Sequence, residues 1–524
     1  MMHGRFGKWM AVLFLVLLVN TAYLAAFASP TIFYMSNVLL HLGLGLALSI
    51  ALIWWLVRSP EARKAFPLAA ALFLLALLAG LYIMIRGNVL QNRWAFWAHV
   101  VTAGLGVAAL APWVWRRTAP RFRTAFAVAA ALLVVLPAGM TAWRKANPDP
   151  THRIKNPLIV PTSMNEEGGG PQSPFFPSSA NTNTKDIIPS NFFMDSQACG
   201  ECHKDIYEQW NSSAHHFASF NNQFYRKSIE YMQDVVGPEP SKWCAGCHDH
   251  AVFFNGRFER PIKDQIDTPE AHAGLACTSC HAITEVHSSM GQGAFTIEYP
   301  PLHELMTSRN PVVRAMDRFL TYTEPEPHKK TFMKPFMRAD SSEFCSSCHK
   351  VHLDVPVNSY RWFRGFNDYD NWQASGVSGQ GARSFYYPAE SKTCASCHMP
   401  LVDSDDPGNV DGKVHSHRFP AANTALAYVN QDKEQMEVTE KFLKSGFISV
   451  DIFAVAPVEE TGETQMIRRS GGQGGLKPMS AGAVGEEVEQ TGDIFIREVG
   501  KVAAPIDKAK PVLAPGSTAR VDVV

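Results

Sequence analysis

Five stretches of the chain are apolar and free of charged side chains: Trp9–Ala28, Thr31–Val57, Pro67–Ile85, Trp94–Trp115 and Thr124–Trp143. Each is close to the roughly 20 residues that a helix needs to cross a hydrocarbon layer about 30 Å thick. Charged residues separate them, and the buried helices of a soluble core rarely repeat that pattern. The predicted elements of residues 1–145 are therefore about five transmembrane helices. With the N-terminus inside, the cytoplasmic segments carry Arg5, Lys8, Arg58, Arg63, Lys64, Arg116, Arg117, Arg121 and Arg123, and the outer ones only Arg86, Arg93, Arg144 and Lys145. That asymmetry places everything after Trp143 on the outer side. Ala26-Phe27-Ala28 also fits a leader-peptide cleavage site. The apolar run before it is longer than a leader needs, so a retained helix is the favoured reading.

Beyond Trp143 the pattern changes. Residues 146–191 are rich in Pro, Gly, Ser and Asn with no helical or strand period, and read as an extended linker over the membrane surface. From 192 to 420 short helical stretches alternate with irregular chain; Lys204–Trp210 and Pro311–Phe319 read as helices. In 421–524 a helix is expected over Gln431–Lys444, strands over Phe447–Val455 and Thr518–Val524, and a flexible loop around Gly471–Gly475. Those strands are too few for a β-sandwich, which suggests a fragment of a longer protein. The expected fold class is mainly α: a transmembrane bundle, a region of short helices and loops, and a partial β-rich C-terminal region.

Composition adds one exclusion. Lys+Arg and Asp+Glu both total 48, and charged residues make up 18% of the chain, below the usual ~25%. A nucleic-acid partner has no electrostatic support.

The cysteines supply the chemistry. All ten fall in the motifs Cys199-Gly-Glu-Cys202-His203, Cys244-Ala-Gly-Cys247-His248, Cys277-Thr-Ser-Cys280-His281, Cys345-Ser-Ser-Cys348-His349 and Cys394-Ala-Ser-Cys397-His398. C-x-x-C-H is the attachment signature of c-type haem: two thiols bond the porphyrin vinyls and the adjacent imidazole stands under the iron. Zinc ribbons and disulfides do not require a His after every pair. Five covalent haems c follow, with porphyrins expected to take the place of much of an ordinary apolar core.

The same segment holds His215, His216, His250, His272, His287, His303, His328, His352, His415 and His417, enough for a second imidazole at every iron. Bis-His irons have no open position, which favours electron transfer over catalysis. His352 lies three residues after His349; in a helical turn both would project from one side, so His352 would serve a neighbouring haem.

Two membrane helices look like copies. His41 is followed by Gly43, Gly45, Trp54, Trp55 and Arg58, and His99 by Gly104, Gly106, Trp113, Trp115 and Arg116. Equal spacing to the arginine puts both imidazoles at one depth. An ionisable residue within a span is a functional candidate, and the pair could clamp one haem b. The alternative is hydrogen bonding to neighbouring helices, with the glycines serving close packing. Arg86 and Arg93, in the outer loop, are candidates to meet haem propionates or a quinone head group.

Cys199-x-x-Cys202-His203 followed by Tyr207, Trp210, Ser213 and His215 resembles the cytochrome c-552/c-554 family, relatives of hydroxylamine-oxidoreductase-type multihaem proteins. The resemblance covers about residues 192–420 and implies an α-helical fold of closely stacked haems with His215 as a distal ligand. The last motif with His415-Ser416-His417-Arg418-Phe419 is similar to the last-haem region of such proteins and nominates His417. His328, and Lys350-Val351-His352-Leu353, look like ligand segments of larger membrane-linked members; His287 completes the set. No C-x-x-C-K, the substrate-haem variant of the enzymatic relatives, occurs.

The expected function is electron transfer between the quinone pool, or a membrane redox complex, and a periplasmic redox partner. The setting is a bacterial cytoplasmic membrane crossed several times. The alternative is a multihaem oxidoreductase acting on a small nitrogen or sulfur compound at a five-coordinate haem. A haem-bearing scaffold or sensor has less support.

Overall fold

The computed structural model describes residues 4–149, 151, 154–338, 342–359, 362–381, 390–447, 450–458, 465–467, 494–496 and 501–523. The chain is mainly helical and forms two compact units, Met1–Phe419 and Pro420–Val524.

The first unit opens with five long helices, Gly4–Phe27, Ile32–Arg58, Pro67–Arg86, Arg93–Arg117 and Pro120–Ala146. All five are long and apolar enough to cross a membrane. Local chemistry sets their ends. The Thr31 hydroxyl accepts from the Tyr34 amide at 3.2 Å and starts the second span, while Ser59 closes it and caps the next turn ahead of Pro60. Both are ordinary uses of a short polar side chain against unpaired helix-terminal amides. Large apolar residues point outward along the bundle, Val57 at 72% exposure and Val134 at 68% among them. That outer surface is what a lipid-facing helix requires.

Residues 164–190 differ from the expected extended linker. Phe175, Ala180 and Ile188 are buried in the main core, and Asn181–Thr182 pairs in parallel with Phe295–Ile297, whose other edge pairs antiparallel with Ile283–Val286. Small residues allow this: Gly168, at φ +53°, runs so close to the Ser179 backbone that a Cβ would meet its Cα at 2.6 Å. A segment of Gly, Ser and Asn shows no side-chain period, yet its bare backbone fits where a bulkier one would not.

The same core corrects the expectation that little apolar packing would be present. Phe175, Phe192, Phe193, Phe220, Phe254, Phe258 and Phe295 are each at most 2% exposed, and many of their rings meet edge to face. The segment before residue 192 contributes part of it.

The predicted helices occur at Lys204–Asn211 and Pro311–Thr323. The second unit holds the helices Thr424–Val429 and Lys433–Leu443, and Ile452–Pro457 pairs antiparallel with Ala519–Val523. The expected loop at Gly471–Gly475 lies outside the described residues.

Candidate haem-binding sites

Each C-x-x-C-H motif forms a helical turn or the end of one. Cys277–His281 and Cys394–His398 are complete turns, the latter started by the Thr393 hydroxyl. Cys244, Cys247 and His248 end the helix Pro238–His248. In the first and fourth motifs the His203 amide bonds Cys199 O at 3.0 Å and the His349 amide bonds Cys345 O at 2.9 Å. One turn brings residues i, i+3 and i+4 to the same side, so both thiols and the imidazole of each motif address one volume.

Thiols of different motifs then meet. Cys199 lies against Cys277, Cys247 against Cys348, and Cys345 against Cys394. The first motif thus adjoins the third, and the fourth adjoins both the second and the fifth.

The imidazoles pair. His203 and His328 have ring centres 6.3 Å apart and planes 12° from parallel. His281 and His417 are 6.2 Å apart at 20°, and His215 and His349 are 6.1 Å apart at 77°. In the bundle His41 and His99 are 6.2 Å apart at 74°. When two imidazoles share one metal, two bonds of roughly 2 Å and roughly 1 Å from each nitrogen to its ring centre put the centres about 6 Å apart. All four pairs have the spacing of two imidazoles on one iron.

The rings are held through Nδ1. His203 bonds Asp406 at 2.9 Å, His281 the Phe332 carbonyl at 2.8 Å, and His349 Asp368 at 3.2 Å. His248 bonds the Ala218 carbonyl at 2.7 Å, and His417 that of His415 at 2.8 Å. Anchoring Nδ1 fixes the tautomer and leaves Nε2 for a metal. Burial lowers the pKa of His215 to about 3, helped by the neighbouring His349. Burial likewise brings His328 and His417 to about 4. Burial thus favours the neutral form of His215, His328 and His417, the form a metal ligand must take.

Two nominated histidines are not brought to a motif imidazole in this way. His287 bonds Thr296 Oγ1 through Nε2 at 3.0 Å. His352 lies on the strand Lys350–Leu353 rather than in a helical turn, and its Nε2 bonds Glu167 Oε1 at 2.7 Å with both groups buried. The helical geometry assumed for His352 therefore does not arise: the chain leaves the His349 turn directly into a strand paired with Phe363–Asn367. The last motif imidazole, His398, lies near Asp368.

In the bundle, His99 Nδ1 bonds the Ala76 carbonyl at 2.8 Å and His41 Nδ1 meets Thr21 Oγ1 at 3.3 Å. Close packing accounts for Gly106, where a Cβ would meet the Phe73 ring at 2.9 Å. It does not account for Gly43, Gly45 or Gly104, where a Cβ would meet nothing within 4 Å. Arg93 is already paired, with Glu326 at 3.6 Å.

Asp406, Asp368 and Glu167 escaped sequence reasoning. Nothing in the sequence near His203 points to a carboxylate two hundred residues later, and only folding brings them together.

Residues 198–282 match the cytochrome c554 and c-prime family. The matched segment contains the first three motifs and supports a cytochrome c assignment, which implies covalently bound haem c. No curated protein and no solved structure matches the chain. The thiol pairs and the imidazoles with Nδ1 anchored are a donor set that fits haem c.

Proposed function

We propose that the protein is a membrane-anchored pentahaem c-type cytochrome. It would carry electrons between the quinone pool, or a membrane redox complex, and redox partners on the periplasmic side of a bacterial cytoplasmic membrane. The observation that carries this reading is the meeting of thiols from different motifs, which supports an unbroken relay: first to third motif, third to fourth through the neighbouring Cys280 and Cys348, then to the second and fifth. When bound, each haem supplies one reversible electron. The chain's own part is to hold the axial positions: His203 with His328, His281 with His417, His349 with His215, and proximal His248 and His398. The family's coarser implication, electron transfer by covalently bound haem, agrees with this.

The helix that carries His328, the imidazole paired with the first motif's His203, meets the bundle. His328 lies on the helix Glu326–Phe332, whose Lys330 bonds the Ala28 carbonyl at 2.8 Å and whose Glu326 pairs with Arg93. Paired His41 and His99 would hold a haem b on the membrane side of the same joint. The lysine and arginine asymmetry of the loops supports the outward orientation of the cytochrome region.

A redox titration followed by optical and EPR spectroscopy, with pyridine haemochrome analysis, tests the reading. Five haems c, reduction by a quinol analogue and low-spin signals are expected. Fewer covalent haems, or no reduction by quinol, would overturn it.

One observation favours the second reading, an oxidoreductase acting at a five-coordinate haem. Among the described residues no second imidazole stands at such a spacing from the His248 ring, which stacks on Tyr225 at 4.4 Å. A high-spin haem that binds nitrite, hydroxylamine or carbon monoxide would shift the function to that reading.

A further inference from the structure

The second span carries His41 and the helix Glu326–Phe332 carries His328, and a part-buried hydrogen bond joins Tyr34, ahead of the first, to Glu324, ahead of the second. Tyr34 lies seven residues before His41, two turns along the same helix face. It is 2% exposed and packs with Met35, Val38 and Leu320. Its hydroxyl donates to Glu324 Oε1 at 3.2 Å, and Glu324 precedes His328 by four residues.

Titratable groups face the pair from several sides. Tyr23 comes from the first span, Arg93 from the fourth, and Glu326 and Lys330 from the helix that follows Glu324; Arg144 of the fifth span faces Lys330. The cations are engaged elsewhere. Arg93 pairs with Glu326 at 3.6 Å, Lys330 bonds the Ala28 carbonyl at 2.8 Å, and Arg144 bonds the Phe27 carbonyl at 3.0 Å. Glu324 is left with a neutral phenol as its hydrogen-bond partner among the described residues. A carboxylate kept only to tie the two regions together would pair with one of these cations. One that must take up and release protons is better served by a hydroxyl.

We infer that Glu324, reached through the Tyr34 hydroxyl, is the group that accepts the protons when a quinol is oxidised at this joint. The inference rests on the reading of quinol as electron donor. A quinol O–H bond breaks; its electron reduces one ferric haem to ferrous and its proton passes by way of the Tyr34 hydroxyl to the Glu324 carboxylate. Glu324 releases that proton to the aqueous side on which the cytochrome region lies, and a second step repeats the transfer. In total one quinol becomes one quinone, two ferric haems become ferrous and two protons are released. Burial raises the Glu324 pKa above the ordinary carboxylate range, which suits a group that must hold a proton briefly and then lose it.

The test uses the purified full-length haem-loaded protein in detergent, mixed rapidly with decylubiquinol. In the wild type the rate of haem c reduction should rise with pH as Glu324 ionises. Glu324→Gln should slow it on the order of a hundredfold and abolish that pH limb, and Glu324→Asp should restore part of both. Tyr34→Phe should slow it less. Reduction by dithionite and the haem EPR signals should be unchanged in all three. A redox-induced infrared difference spectrum should show a deuterium-sensitive carboxylic-acid band that Glu324→Gln removes. Wild-type rates and pH profile in Glu324→Gln, or persistence of the band, would overturn the inference alone. A wild type that quinol does not reduce overturns the donor reading and this inference with it. If Glu324→Gln loses haem, Glu324→Asp and Tyr34→Phe decide by the same measurements.

Discussion

The membrane bundle and the cysteine-bearing region each bring imidazoles to the same spacing, but by opposite routes. In the bundle His41 and His99 come from two similar helices and are matched by equal distance from Arg58 and Arg116. Regular geometry along two parallel rods sets their depth. In the cysteine-bearing region His203 meets His328, and His281 meets His417, across long stretches of sequence with no repeat between them. The bundle turns its apolar side chains outward, whereas the other region buries phenylalanines inward. A site on repeated rods is written in local spacing. A site in a compact fold is written in packing.

The largest effect that would break this comparison is loss of a motif. Replacing Cys277 and Cys280 by Ala should lower the intact mass by one haem and leave little folded protein, since the thiol Cys277 meets Cys199 and His281 is held by Phe332. A full haem count in that variant would refute covalent attachment there. The bundle should tolerate the equivalent loss. His41→Ala or His99→Ala should abolish a non-covalent haem b in pyridine haemochrome analysis and leave the haem c count intact.

A second test separates paired from unpaired histidines. His215→Ala, His328→Ala and His417→Ala should each convert one c haem to high spin. His287→Ala and His352→Ala should convert none, because Thr296 and Glu167 engage their Nε2 atoms. The two ring arrangements should also be visible by EPR. Nearly parallel planes, as in His203 with His328, give a rhombic low-spin signal, and nearly perpendicular planes, as in His215 with His349, a strongly anisotropic one.

Packing sharpens the contrast further. Phe254 is fully buried, and Phe254→Ala should cost about 3–5 kcal/mol in chemical denaturation. Val134, 68% exposed in the fifth span, should change stability by less than about 0.5 kcal/mol when replaced by Ala.

The smallest effect is electrostatic. Asp406 is buried and bonds His203 Nδ1, which would make the imidazole a stronger donor to an oxidised haem iron. Asp406→Asn should raise the midpoint potential of that haem, by about 59 mV for each tenfold loss of preference for the oxidised state. An unchanged potential in a redox titration would refute that role.

By itself the sequence determined whatever depends on neighbours along the chain. Absence of charge over helix-length runs marked the five spans, and the adjacency of two Cys and a His marked each motif, because one helical turn is enough to align them. The helix Lys433–Leu443 and the strand Ala519–Val523 also followed from their periods, and the strand expected over Phe447–Val455 overlaps Ile452–Pro457 only at Ile452–Val455. Tertiary structure alone decided the rest. Residues 164–190 carry no period, so their place in the phenylalanine core was invisible until the backbone was seen to fit there. Local spacing suggests a helical turn for His352, and only the pairing of Lys350–Leu353 with Phe363–Asn367 puts it on a strand that meets Glu167. The partners Asp406, Asp368 and Glu324 lie far along the chain from the groups they serve or join. A hydrogen bond or an imidazole pair forms over a few ångströms of space, and the order of residues does not record which distant segments will come within that reach.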